Sequence, residues 1–225
     1  MKSDIMLPLF PLNVVLLPGT LLPLHIFEER YKEMIGECLS EMREFGIVYL
    51  NDEKITRIGC SAQIVELLKR YENGEMDIIT LGTDRFFIKA LDETRSYYRA
   101  KIIPFEDDPV EETEGLKKLV QSGIQLLKEL NSITGGDWDK APFAEESDMR
   151  KVSFLISGYD GFTSMEKQNF LEMTSTRKRV EEAVEALKKA LLRARLNLKI
   201  QHIVKGNGDA KKTMMRYYME ESQRA

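Results

Sequence analysis

The sequence predicts an α+β protein of 225 residues, in which a β-rich N-terminal half is followed by a helical half. Up to about residue 107, short apolar runs are separated by prolines and glycines, as in a sheet with regular turns. From about residue 115, apolar residues recur at steps of three and four, which indicates amphipathic helices. The acidic stretch EDDPVEETE (106–114) lies between these patterns. We therefore expect two domains, 1–108 and 109–225, joined by a solvated linker.

The N-terminal half reads as several short strands and one early helix. Prolines interrupt residues 5–27, which favours strands joined by turns, with Pro18-Gly19 as the clearest turn. Apolar spacing from Tyr31 to Met42 predicts a helix of about four turns, and Gly46 is the expected C-terminal cap. Asn73-Gly74 is a strong hairpin signal. Further strands are predicted at 46–50, 59–71, 76–82, 85–94 and 97–107. This series is typical of a sheet sandwich or a small barrel.

The C-terminal half is predicted to be a helical bundle. Helices are expected at 115–131, 148–159 and 164–173; the last begins with a weak capping box at Ser164. Good N-cap residues at 174–176 precede the longest helix, about 177–204, which we expect to end near Gly206. Residues 206–225 are expected to form either a short helix or a loose tail. Its apolar seam from Val180 to Leu198 repeats at steps of four and three. We expect this seam to pack inside the bundle; pairing between chains is the alternative.

Charge is distributed unevenly along the chain. Residues 177–212 carry 11 Lys/Arg against 4 Asp/Glu, whereas residues 1–176 carry 20 against 31. A basic helix face that docks on its own acidic domain is the favoured interpretation, and an anion or nucleic-acid contact is the alternative. No apolar run is long enough to cross a membrane, and the N-terminus lacks the features of a signal peptide. We therefore expect a soluble, cytoplasmic protein.

The sequence contains no recognisable catalytic, cofactor or metal motif. GxGxxG, HExxH, GxSxG and metal-spaced Cys/His clusters do not occur. Cys38 and Cys60 are expected to be partly buried, reduced thiols, and His25 a structural histidine. Arg85 is expected to pair locally or to cap carbonyl groups, and Asp107-Asp108 to be solvated surface. The sequence therefore predicts no catalytic residue, no cofactor and no metal ligand.

Residues 7–35, LPLFPLNVVLLPGTLLPLHIFEERYKEMI, resemble the opening motif of the Lon protease N-terminal, substrate-binding domain. The resemblance continues through Phe45-Gly46-Ile47-Val48, Ile58-Gly59 and Gly82-x-x-Arg85-Phe86-x-Ile88, and more weakly through residues 166–190. The positions to which it gives structural roles are Pro11, Pro18, Gly19, Pro23, Glu28, Arg30, Gly59, Gly82, Arg85 and Phe86.

The resemblance implies a PUA-like β-barrel followed by a helical bundle with a long last helix. It also implies a non-catalytic polypeptide-binding module, in protein quality control or as an adaptor, because the sequence lacks the ATPase and Ser–Lys protease motifs of full-length Lon. Expected partners are unfolded or degron-bearing polypeptides and a separate ATPase or protease. RNA binding through the basic C-terminal helix is the alternative function, and assembly through the helical seam is a third hypothesis.

A polypeptide-binding surface would be an apolar groove between barrel and bundle. Its candidate residues are aromatic or Met side chains that we expect a barrel to bury incompletely. They are Phe27, Tyr31, Met34, Tyr97, Tyr98 and Phe105.

Overall fold

The computed structural model describes residues 5–52, 54–110, 113–135 and 148–222, with side chains described as far as residue 201. Six strands form one mixed sheet in the order β2-β5-β4-β3-β1-β6, and β6 also pairs with β5, which closes the sheet into a barrel. The strands are β1 (Ile5–Leu12), β2 (Leu21–Ile26), β3 (Phe45–Asn51), β4 (Lys54–Arg70), β5 (Met76–Asp92) and β6 (Arg99–Pro104). Only β1 and β3 run parallel among the paired strands of this part of the chain. The predicted β-rich half is confirmed.

β4 and β5 are longer than the other strands, and they continue beyond the part of the sheet that closes the barrel. There, the end of β4 and the start of β5 form a three-stranded extension with β2. The hairpin at Asn73-Gly74 joins them as predicted, with Gly74 at a positive φ of 83°. We call the three-stranded projection the β arm; it consists of residues 21–26, 62–70 and 76–82. Two strands were predicted at 76–82 and 85–94, but β5 is continuous. A register shift between Cys60 and Ala62 on β4 lets both strands bend from the barrel into the arm without a break.

The early helix α1 (Glu29–Glu41) packs its apolar face into the barrel. Its C-terminal cap is Met42, whose φ is 50° and whose N–H donates to the Cys38 carbonyl oxygen. The prediction of Gly46 as the cap was wrong because β3 already begins at Phe45. Gly46 is needed for a different reason: a Cβ there would lie 2.6 Å from the Phe86 ring. Met42 tolerates the left-handed conformation as an exposed residue, with 95% of its surface open to solvent.

The C-terminal half is a bundle of α2 (Glu114–Thr134), α3 (Met149–Ser157), α4 (Ser164–Glu172) and α5 (Thr176–Ser222). The first four seam residues of α5 are buried against the other helices, as expected for an intramolecular bundle: Val180, Val184, Leu187 and Leu191. Among the described helices, none combines the length and apolar composition needed to cross a membrane.

Two expectations for the helix ends were wrong. The capping box of α4 is complete and begins one residue earlier, at Thr163, because Glu166 rather than Lys167 occupies the third helical position. α5 does not end at Gly206 but continues to Ser222, so residues 206–222 extend this helix and form neither a separate short helix nor a loose tail. Glycine costs only about 1 kcal/mol within a helix, and residues 210–221 are rich in good helix formers.

A buried ion cluster connects the two halves. Asp107, expected to be solvated, has only 3% of its side chain exposed. It pairs with Arg85 of β5 and Arg179 of α5, and the Arg179–Asp107 N···O distance is 2.6 Å. Thr176 also donates to this carboxylate at 2.9 Å. The acidic stretch is therefore not a solvated linker throughout: at Asp107 it supplies the counter-ion for two buried cations.

The two arginines also satisfy the end of α4, whose last carbonyl groups have no partner within the helix. Arg85 donates to the carbonyl oxygens of Leu171 and Met173 at 2.5 and 2.7 Å. Arg179 donates to those of Phe170 and Met173 at 3.1 and 2.6 Å. Burial lowers the pKa of both guanidinium groups, and Asp107 opposes that shift. The prediction that Arg85 caps carbonyl groups is confirmed, but its acidic partner is distant in sequence.

The apolar core crosses the same boundary. Phe154 of α3 and Leu171 of α4 belong to the main core of the barrel, together with β-strand and α1 residues. The Arg179 guanidinium lies 3.7 Å from the centroid of the Phe154 ring. Barrel and bundle thus share buried apolar surface as well as buried charge.

Candidate functional site

The outer face of the β arm is an exposed apolar surface. Its orientation follows from the inner face: Leu22 and Leu24 of β2 pack against the main core, and Met76 and Ile78 of β5 are buried in it. Alternate residues therefore point outward. In the register of the paired strands, the outward rows across β2, β5 and β4 are Leu21–Leu81–Gln63, Pro23–Ile79–Glu66 and His25–Asp77–Lys69.

Two of these rows are apolar on β2 and β5. Leu21 is 63% exposed and Pro23 is also exposed, whereas Ile79 and Leu81 are half-buried. A sheet with one solvated face normally carries polar residues on that face. Four adjacent apolar residues there instead form a continuous patch, which we call the arm patch: Leu21, Pro23, Ile79 and Leu81. Patches of this kind mark sites of association with other molecules.

An aromatic and acidic cluster borders the arm patch at the tip of β2. Phe27 is 59% exposed and its ring stacks with that of His25 at 6.0 Å between centroids. The Asp77 carboxylate lies 2.7 Å from His25 Nδ1 and accepts a hydrogen bond from Tyr71 at 2.7 Å. The hydrogen bonds from His25 and Tyr71 lower the pKa of Asp77. This end of the surface therefore combines an exposed aromatic ring with a fixed negative charge.

The arm patch favours contact through side chains. β2 lies at the edge of the sheet, where unpaired backbone groups could accept an added strand. Pro23 at the centre of β2 has no N–H to donate. An extended polypeptide would thus be held mainly by apolar packing on the face of the arm.

A second concave surface lies between the barrel and the bundle, where the sequence predicted an apolar groove. It is a cleft of about 570 Å³. Its apolar side includes Ile5, Ile102 and Phe105, but its rim carries both acidic and basic residues, among them Glu44 and Arg150. The cleft is therefore mixed in character, and at its base lies the buried Arg85–Asp107 pair.

The six predicted binding residues are distributed over different environments. Tyr31, Met34 and Tyr97 are buried in the main core, so the expectation that a barrel would leave them partly open was wrong. Tyr31 and Met34 lie on the face of α1 that packs into the barrel. Phe27 lies at the arm tip, and Phe105 lines the cleft with its ring 4.7 Å from the Arg85 guanidinium. Tyr98 packs against the smaller core cluster. No single surface brings these three together.

The motif residues lie where the chain turns or packs closely. Gly19 adopts a φ of 78° after Pro18. A Cβ at Gly82 would lie 2.2 Å from the Leu17 carbonyl oxygen, and one at Gly59 would lie 2.6 Å from that of Ile47. The remaining motif residues lie in β1 (Pro11), in β2 (Pro23), at the start of α1 (Glu28 and Arg30), in the ion cluster (Arg85) and in the smaller core (Phe86).

Sequence reasoning missed Leu21, Ile79 and Leu81 and assigned Pro23 a structural role. A signal was present: the segment LLPLHI (21–26) is apolar at both odd and even positions, so one of its two faces must be an apolar surface outside the core. Which face is covered depends on α1 and the barrel, and is visible only in the fold.

Two kinds of potentially reactive group can be assessed in the described part of the chain, metal-ligating side chains and thiols. Within those residues, no group of three or more His, Cys, Asp and Glu side chains could hold a metal ion. Burial raises the pKa of both thiols, Cys38 and Cys60, so neither is activated as a nucleophile.

Comparison with known proteins agrees with this architecture. Residues 6–189 match the family model of the ATP-dependent protease La (LON) substrate-binding domain. Lon protease 2 of Syntrophobacter fumaroxidans is 25% identical over 224 residues, and Lon protease of Anaeromyxobacter dehalogenans is 27% identical over 248 residues. These alignments cover 95% and 100% of this chain but 28% of each relative. The chain thus spans little more than a quarter of the length of these proteases.

Solved structures share the fold. The Lon N-terminal domain protein from Xanthomonas campestris superposes with a TM-score of 0.63 at 21% identity, covering 80% of this chain and 98% of that one. The N-terminal domain of Mycobacterium avium complex Lon protease gives a TM-score of 0.66 at 18% identity, with coverage of 81% and 98%. Since the family model spans most of the sequence, the chain belongs to the family of the ATP-dependent protease La (LON) substrate-binding domain.

Proposed function

We propose that this chain binds unfolded or degron-bearing polypeptide segments on the outer face of the β arm and catalyses no reaction itself. The observation that carries the proposal is the arm patch, an apolar surface on a sheet face that would otherwise be polar. The family membership supports the same role, since its members are substrate-binding domains.

The shape of the surface indicates what it would hold. A flat sheet face suits an extended chain whose side chains lie on Leu21, Pro23 and Ile79. Phe27 and the ionised Asp77 at the arm tip would favour a basic residue in the client, because aromatic faces and carboxylates both attract cations. We further propose that delivery to a separate ATP-dependent protease, in protein quality control or as an adaptor, is the wider role.

The test measures binding of a fluorescently labelled, reduced and carboxymethylated protein, which cannot fold. Leu21→Asp places a charge in the arm patch at an exposed position, so folding should be unaffected. We expect the dissociation constant to rise at least about tenfold, because burying one leucine contributes roughly 1.5–3 kcal/mol. The matched control is Leu91→Asp, the same exchange at an exposed position on the opposite end of β5.

Three results would contradict the proposal. Leu21→Asp could bind as tightly as the wild type, Leu91→Asp could weaken binding equally, or the folded form of the labelled protein could bind as well as the unfolded form. Displacement of the client by RNA, with a steep loss of affinity at high salt, would favour the nucleic-acid alternative instead.

A further inference from the structure

The far half of α5 contains a long basic segment without acidic residues. Residues 188–208 include six Lys/Arg and no Asp or Glu, together with seven Leu, Ile and Val residues. A basic helix that also carries aliphatic residues is typical of contact with a membrane surface or with an acidic partner. The described side chains of this segment, residues 188–201, indicate which of these contacts the helix favours.

Three aliphatic side chains of this segment form an exposed stripe. Leu192, Leu196 and Ile200 are 70%, 56% and 49% exposed, and they follow each other at steps of four, which keeps them on one side of the helix. Leu196 and Ile200 lie about 140° and 180° around the helix from Leu191, at 3.6 residues per turn. Leu191 is buried against the bundle, so the stripe faces away from the bundle. We call Leu192, Leu196 and Ile200 the α5 stripe.

Cations border the α5 stripe. Lys189, Arg193 and Lys199 each lie three positions from a stripe residue, so all three adjoin it, and all three are exposed. The ion pairs that the described side chains of this segment make with carboxylates involve its other cations, Lys188 and Arg195. The charges beside the stripe are therefore placed to contact an external anion.

An aliphatic stripe between cations fits a lipid surface better than a nucleic acid. Interfacial helices bury Leu and Ile side chains at the boundary of the acyl chains, while Lys and Arg stems run along the apolar surface and place their charges at the headgroups. Nucleic-acid contacts use cations for phosphates and aromatic rings for unpaired bases. Residues 188–208 contain no Phe, Tyr or Trp, and a nucleic acid would leave the stripe without a partner.

The place of α5 in the fold permits contact with a flat surface. Because the stripe faces away from the bundle, the other helices remain on the water side. Three carboxylates that a negative surface would repel, Glu181, Glu182 and Glu185, all precede residue 188, so the contact would begin near that position. An interfacial helix lies in the plane of the membrane surface and does not need the apolar composition of a spanning helix.

We propose that the α5 stripe and its bordering cations bind reversibly to the surface of a membrane that contains anionic lipids. The stripe residues would enter the boundary between headgroups and acyl chains, and Lys189, Arg193 and Lys199 would contact lipid phosphates. This surface is separate from the arm patch. Substitutions in the α5 stripe should therefore leave polypeptide binding by the β arm unchanged.

Cosedimentation of the full chain with lipid vesicles tests the proposal. One set of vesicles contains equal parts of phosphatidylglycerol and phosphatidylcholine, and the other contains phosphatidylcholine alone. We expect binding to the anionic vesicles to be at least about tenfold tighter, because each cation near an anionic surface contributes roughly fivefold. Replacing two of them, Arg193→Gln with Lys199→Gln, should remove most of this preference.

A matched pair of variants separates the stripe from general charge effects. Leu196→Asp should weaken binding to anionic vesicles about tenfold more than Leu198→Asp, because only Leu196 becomes buried in the lipid. The control introduces the same charge at another exposed position, about 200° away around the helix. Since both positions are exposed, both variants should fold, and circular dichroism checks their helix content.

Four results would overturn the proposal. The wild type could fail to bind anionic vesicles at low salt, or Leu196→Asp and Leu198→Asp could weaken binding equally. RNA could displace the vesicles and bind Leu196→Asp as tightly as the wild type, which would assign the cations to nucleic acid. Finally, sedimentation without lipid could show a mass that falls only with Leu196→Asp, which would assign the stripe to contact between copies.

Discussion

Replacing Asp107 by Ala should destabilise the whole chain. Among the described side chains, Asp107 carries the only carboxylate that contacts both buried arginines, Arg85 and Arg179. Arg179 is fully buried, and Arg85 is 3% exposed at its side chain. Removing one partner of a buried ion pair typically costs about 3–5 kcal/mol, because an uncompensated charge stays buried. The carbonyl groups at the end of α4 still accept hydrogen bonds from both arginines, so we expect a loss near the lower end, about 3 kcal/mol.

Urea unfolding followed by circular dichroism measures this loss. With a slope of about 2 kcal/mol per molar urea, the midpoint should fall by about 1.5 M. The matched control is Asp108→Ala. Asp108 accepts an exposed hydrogen bond from Thr174 at 2.8 Å, and the backbone bond between the two residues is retained, so the loss should stay below about 1 kcal/mol. If both variants lost the same stability, the assignment of Asp107 as the counter-ion at the junction would be refuted.

Three further predictions concern the barrel and its early helix. Met42→Gly should raise the free energy of unfolding by about 0.5–1 kcal/mol by relieving the left-handed conformation, whereas Met42→Ala should not; thermal unfolding distinguishes them. Gly82→Ala should lower the melting temperature, because its Cβ would clash with a backbone carbonyl oxygen, whereas Gly36→Ala, in open space within α1, should raise it slightly. Hydrogen bonds from Thr94 and, to a smaller extent, from Arg99 lower the pKa of Asp92 to about 2. Its stabilising effect is therefore present above pH about 4 and lost as the pH falls towards 2, so Asp92→Asn should flatten the acid limb of a stability–pH curve.

Local patterns in the sequence predicted most of the fold. Asn73-Gly74 located the central hairpin, the three- and four-residue spacing located α1, and the polar residues at 174–176 located the start of α5. These features depend on neighbours a few residues away, so they can be read from sequence. The end of α5 could not, since glycine at 206 only weakens a helix and does not forbid it.

Features that depend on distant residues were not predictable in the same way. Asp107 lies in an acidic run typical of solvent, yet its partners Arg85 and Arg179 are 22 and 72 residues away. Likewise, a strand pattern shows that Leu21 is apolar but not that its neighbours on β5 place it in an uncovered patch. Tyr31 and Met34 illustrate the opposite case, since they were expected to be partly open but lie on the face of α1 that packs into the barrel core.

The presence of Phe154 and Leu171 in the barrel core has a consequence for how such a module can be inherited or transplanted. A fragment containing only the six strands would lack these two side chains, so its core would contain a cavity. Its Arg85 would also lose the carbonyl groups at the end of α4 that accept its hydrogen bonds. The smallest segment that folds with a complete core must therefore extend past α4 into α5. The family model matches a segment of this extent, residues 6–189. Recombination between relatives should be tolerated at the outer boundaries of that segment and selected against at the acidic stretch in its middle.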